Sequence, residues 1–218
     1  MSIINLKTAI EEVLRLNQAV SKISPLSSGN VSIKLNNGLI VIKPSGVPYE
    51  KLTKKDISVV NTKGILLSGK HPSSDLNLHI KIYEEFGSVN SIIHAHSHYV
   101  TVMAILGKDL DVISTMQADY FGTKIPCLKF ANHRTNAIYE SIHKNYKRIK
   151  ITNAFLLGKH GAFIFSDEPS LNLDKAFALE EIAKLNYQSL LISKRIKSIK
   201  EKDIRLMHNY YMNKYGQK

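Results

Sequence analysis

Hydrophobic and polar positions change period several times along the 218-residue chain, and each change predicts an element. Residues 1–20, "MSIINLKTAIEEVLRLNQAV", place Ile10, Val13, Leu14 and Leu16 at helical spacing, which predicts an amphipathic helix. The stretches "NVSIKL" and "LIVIKP" flank the turn Asn36-Asn37-Gly38 and predict two short strands. "ISVVN" and "ILLSG" read as two more. A helix is predicted over 74–86, with Ser74 as its cap and Leu76, Ile80 and Tyr83 on one stripe. The strand "SIIHAH" follows, then a helix through "YVTVMAIL", strands at "DVIST" and "IPCLKF", and a helix over 135–146. "NAFLLGKHG" and "AFIFS" form a second hairpin-like pair. A long helix over roughly 170–194 and a C-terminal helix complete the pattern.

No linker, compositional break or internal repeat divides the chain, so the pattern predicts a single α/β domain over 1–218. Short turns outnumber crossover helices, so its central sheet should be mostly antiparallel and flanked by helices.

Composition narrows the function. Hydrophobic residues at 44% and charged residues at 22% are ordinary for a globular chain. The lone Cys127 excludes an intramolecular disulfide and a thiolate zinc cluster, and it fits a reducing cytoplasm. Without a signal-like h-region or an apolar run of bilayer length, a soluble, cytoplasmic protein with no membrane partner is expected. The net charge of +12 is scattered, with short clusters at 147–150 and 194–202 and no aromatic-interleaved basic motif. This argues against a nucleic-acid partner, while a positive field would gather an anionic substrate such as a sugar phosphate.

The densest chemistry lies in "SIIHAHSHYV", with His94, His96 and His98 in five positions. Alternate strand residues share a face, so His94 and His96 would aim at one point and begin a metal site. A polar strand end facing water is the plainer alternative. Asp75 in "HPSSDLNLH" and His160 in "LLGKHGAF" are the further donors, although each also fits a local role, as a helix N-terminal charge and a turn histidine. Three histidines and one carboxylate suit a zinc-like cation rather than magnesium or calcium. His71, His79 and His98 compete as ligands, but by His98 the chain should already be helical. The turns "LSSGNVS", "KPSGV" and "HPSS" present small hydroxyls and backbone N–H groups, and with Lys43 they resemble a phosphate cradle.

These motifs, together with "IIHAHSHYVT", "ADYFGTKIPC" and "LGKHGAF", give the chain a resemblance to the class II aldolase/adducin family along almost its whole length. "PSSD" stands where the fuculose-phosphate aldolase branch has a glutamate, and "QADYFGTKIPC" is similar to the epimerase branch. The resemblance implies zinc held by Asp75, His94, His96 and His160, and phosphate contacts from Asn30, Lys43, Ser45, Gly46, Ser73 and Ser74. It also implies a homotetramer with active sites at subunit interfaces, Asp119 as one acid/base group, and a C-terminal tyrosine of the neighbouring subunit as the other. "YGQ" aligns Tyr215 with that tyrosine, with Tyr210 and Tyr211 as alternatives. The segment 131–150 is shorter and more basic than the family pattern.

The activity so implied is zinc-dependent 4-epimerisation of a ketopentose phosphate, L-ribulose 5-phosphate to D-xylulose 5-phosphate. The C4 hydrogen is not acidic, so inversion there calls for a retro-aldol break of C3–C4 and closure on the aldehyde's other face. That needs two proton-transfer groups. The alternatives are an aldolase like the fuculose-phosphate enzymes, a ketose-phosphate dehydratase and, from another class, a non-catalytic adducin-like interaction module.

Overall fold

The computed structural model describes residues 4–132 and 135–216. In chain order its elements are α1 (Leu6–Val20), β1 (Gly29–Lys34), β2 (Ile40–Ile42), β3 (Ser58–Val60), β4 (Leu66–Ser68), α2 (Leu76–Glu85), β5 (Ser91–Ala95) and α3 (His98–Leu106). There follow α4 (Thr115–Phe121), β6 (Cys127–Leu128), α5 (Ala137–Lys144), α6 (Tyr146–Thr152), β7 (Ala154–Leu157), β8 (Gly161–Ser166), α7 (Pro169–Ile192) and α8 (Glu201–Lys214). Among the described residues the strands form one sheet in the order β4-β3-β2-β1-β5-β8-β7-β6. Neighbours from β4 to β5 are antiparallel, and β6 runs parallel to β7. The predicted α/β class and mostly antiparallel sheet are what the chain adopts.

Two compact units make up the chain, Met1–His96 with Ile164–Asp174 and Ser97–Phe163 with Lys175–Lys218. In the first, α1 buries Ala9, Val13, Leu16 and Val20, a stripe at helical spacing, against β1 and β2. Its first turn is capped by Asn5, whose side chain accepts from the Thr8 N–H at 3.0 Å. Val31, Ile33, Val41, Ile42, Ile92 and Ile93 fill the interior around the inner strands, each contributing about 1.5–3 kcal/mol. In the second unit α4 starts at the cap Ser114, ends at left-handed Gly122, and packs on α8 through Val112, Ala118 and Ile204. No helix of the described residues is long and apolar enough to cross a membrane.

Several local expectations are corrected. "DVIST" is not a strand: Leu110 forms an isolated bridge with Ile125, and the Ser114 side chain caps a helix that takes Thr115. Of "IPCLKF" only Cys127–Leu128 is a strand. The helix predicted over 135–146 forms as α5 and ends at Lys144, and an unpredicted helix, α6, follows it. α2 begins later than predicted, and Ser73 rather than Ser74 supports its start by accepting the Asp75 N–H at 3.2 Å. Its buried residues are Leu76, His79, Ile82 and Tyr83, so Ile80 is not among them.

Candidate active site

The site in the first unit grows from the pairing of β1 with β5. Asn30 lies opposite His94 and Gly29 opposite Ala95, and opposed residues share a sheet face. This close approach requires glycine at 29, where φ is +100° and a Cβ would stand 2.4 Å from the His94 carbonyl oxygen. β5 ends at Ala95, and the His96 N–H donates to Ser24 Oγ at 2.9 Å. The two imidazoles then meet edge to face, with ring centroids 4.6 Å apart and their Nε2 atoms 2.8 Å apart. Two imidazole lone pairs at that distance repel unless a proton or a cation lies between them.

Asp75 occupies the N-cap position of α2, yet its carboxylate makes no cap hydrogen bond. Instead its Oδ2 accepts from Asn30 Nδ2 at 2.7 Å. The Asn30 Oδ1 is buried with no hydrogen-bond partner among the described residues. His79, one turn beyond Asp75, is completely buried, and its Nδ1 lies 2.7 Å from Ser32 Oγ. Burial holds His79 well below the usual histidine range, with the Asp75 charge opposing and His94 reinforcing that shift. Of the other competing ligands, His71 places Nδ1 3.0 Å from the Pro72 carbonyl, and His98 is exposed at the first residue of α3.

The predicted cradle residues also fall in this unit. A bridge between Pro44 and Pro72 lays 43–46 beside 71–74. The Ser45 N–H donates to the His71 carbonyl at 2.9 Å and the Ser73 N–H to the Lys43 carbonyl at 3.1 Å. Those two amides are thus engaged. Ser45, Gly46 and Ser74 are exposed, whereas Lys43 is buried with Nζ 5.0 Å above the Tyr49 ring. Burial pulls the Lys43 ammonium below the ordinary lysine pKa.

In the second unit His160 closes the turn between β7 and β8, its N–H donating to the Leu157 carbonyl at 3.0 Å. Gly158 allows this turn to lie against β6, because a Cβ there would meet the Leu128 carbonyl oxygen at 2.9 Å. Asp119 sits in α4, not in the turn before a strand that its neighbours would allow. Burial pushes its carboxyl up, and the nearby His208 pulls the other way. His208 Nδ1 lies 2.7 Å from the Asp119 carbonyl oxygen. Tyr211 touches Tyr120 at 4.9 Å and stacks on exposed Tyr215 at 5.1 Å, so Tyr215 reaches α4 through Tyr211. Sequence reasoning passed over His208, Ser24 and Glu180; the last accepts from the Tyr99 and Val100 N–H groups at 2.9 and 3.0 Å. No local motif marks any of them, because each acts on a partner 72 to 89 residues away.

The family model "Class II Aldolase and Adducin N-terminal domain" matches residues 13–187, and the chain belongs to that family. An L-fuculose 1-phosphate aldolase superposes with a TM-score of 0.87 at 22% identity, covering 97% of this chain and 100% of that one. YgbL from Klebsiella pneumoniae gives 0.82 at 23% identity, with 94% and 99% covered. The L-fuculose-1-phosphate aldolase of Thermus thermophilus gives 0.69 at 20% identity, with 88% and 98% covered. At these identities the structural likeness speaks for the fold.

Proposed function

We propose that this chain is a zinc-dependent sugar-phosphate enzyme and that its reaction is 4-epimerisation of L-ribulose 5-phosphate to D-xylulose 5-phosphate. The observation that carries this is the pair of imidazole Nε2 atoms 2.8 Å apart, with Asp75 held by Asn30 opposite His94. We take His160 as the third imidazole of the set. Three neutral nitrogens and one carboxylate fit a zinc-like cation. When bound, such a cation supplies Lewis-acid stabilisation of the charge that develops on substrate oxygens.

The chain's own residues do the rest. Lys43, Ser45, Gly46, Ser73, Ser74 and Asn30 grip the phosphate and keep the cleaved fragment in place. Asp119, ionised, takes the C4 hydroxyl proton; the C4 oxygen becomes an aldehyde and the C3–C4 bonding pair passes to the other fragment. The aldehyde turns over and the bond reforms on its opposite face. Tyr215, from the neighbouring chain of a homotetramer, returns a proton to the C4 oxygen, and exchange with solvent then removes the proton from Asp119 and restores the one on Tyr215. The position of Asp75 supports this reading over the aldolase one, since a carboxylate held by Asn30 suits a ligand and leaves proton transfer to Asp119.

Product identification tests it. Zinc-loaded protein should convert L-ribulose 5-phosphate to D-xylulose 5-phosphate without releasing fragments. Accumulation of dihydroxyacetone and glycolaldehyde phosphate would identify an aldolase instead, and no turnover across a panel of ketose phosphates would favour an adducin-like module.

A further inference from the structure

Six polar side chains of β1 and α2 meet rung by rung. On β1, Asn30, Ser32 and Lys34 alternate with buried Val31 and Ile33 and share one face. On α2, Asp75, His79 and Tyr83 recur every four residues and share one side of the helix. Asn30 Nδ2 donates to Asp75 Oδ2 at 2.7 Å. Ser32 Oγ lies 2.7 Å from His79 Nδ1 and 2.7 Å from Tyr83 OH. Lys34 Nζ stands 5.1 Å over the Tyr83 ring. The spacings match because four helical residues rise ~6 Å while two strand residues advance ~6.6–6.8 Å. Sliding α2 by a turn, or β1 by two residues, breaks every rung at once. Ser32 and His79 are completely buried and Tyr83 nearly so, so water cannot replace a lost rung.

We infer that this ladder fixes where the Asp75 carboxylate stands, with Ser32 and His79 as positioning residues. The inference rests on the reading of Asp75 as a metal ligand. Asp75 lies at the helix start, where its side chain does not cap the helix. The Asn30 rung aims it directly. The Ser32–His79 rung, one turn further on, holds the helix in the register that the Asn30 rung needs. Partners behind a ligand set a metal's geometry and affinity in this way.

Cobalt(II) titration of the full chain tests the inference, because the visible spectrum of cobalt reports the number and arrangement of its ligands. Ser32→Ala and His79→Leu should each weaken cobalt binding by about 10–100-fold and alter the visible bands, with far-UV circular dichroism unchanged. His79→Asn, whose amide can stand near the former Nδ1, should recover part of that affinity. Asp75→Asn checks the underlying reading and should also weaken binding and alter the bands. If folded Ser32→Ala and His79→Leu bind cobalt like the parent while Asp75→Asn does not, the ladder is overturned and the ligand assignment stands. If Asp75→Asn binds like the parent, the ligand assignment fails and takes the inference with it. Should Ser32→Ala not fold, the contrast between His79→Asn and His79→Leu decides: equal parental binding in both overturns the ladder.

Discussion

In the proposed mechanism Asp119 must be ionised to accept a proton, and burial raises its pKa while His208 only partly opposes. The acid limb of kcat/KM should therefore lie higher than an unperturbed aspartate would put it. Asp119→Asn should remove that limb and lower the rate ~10²–10⁴-fold, which a pH–rate profile of both proteins checks. Gly29→Ala should be costlier than its size suggests, since the new methyl would meet the His94 carbonyl oxygen. We expect lower thermal stability together with loss of bound metal, measured by a melting curve and elemental analysis. At this scale the sequence was legible where chemistry was local. The spacing of His94 and His96 pointed to a shared target, and their rings do converge. His208 was not legible, because its meeting with Asp119 depends on α8 packing against α4.

Among the elements, those with a clean period were readable. The first strand alternates, the second is a short apolar run, and the turn Asn36-Asn37-Gly38 joins them, so they pair as β1 and β2. The apolar stripe of α1 was readable for the same reason. Leu16→Ala should cost about 2–5 kcal/mol of stability and leave metal stoichiometry intact, as denaturant unfolding and elemental analysis can show. "DVIST" misled because β-branched residues favour strands, while the Ser114 cap carries Thr115 into helix. α6 was hidden because Lys147, Arg148 and Lys150 mask the single buried stripe through Ile149 and Thr152.

For the whole molecule, acid stability has an identifiable contributor. Asp56 is lowered to about 2 by hydrogen bonds from Lys70 and Thr53. An unfolded aspartate titrates near ~3.9, so this contribution is present above roughly pH 4 and is lost as pH falls toward 2. Asp56→Asn should flatten stability against pH in that window, as acid titration of unfolding would reveal. If the active site is shared between subunits as proposed, mixing inactive Asp119→Asn and Tyr215→Phe chains restores part of the activity once subunits exchange. Neither the proposed oligomer nor the choice among Tyr210, Tyr211 and Tyr215 was legible in periodicity, because both depend on surfaces that a single chain's hydrophobic pattern does not describe.

Every chemical step proposed depends on the metal centre, so metal stoichiometry is the most direct test. Elemental analysis of metal-replete protein should find one zinc-like ion per chain, and the double variant His94→Ala, His96→Ala should lose it while staying folded. Metal-replete parent protein without a stoichiometric transition metal, or a double variant that keeps its full complement, would contradict the account.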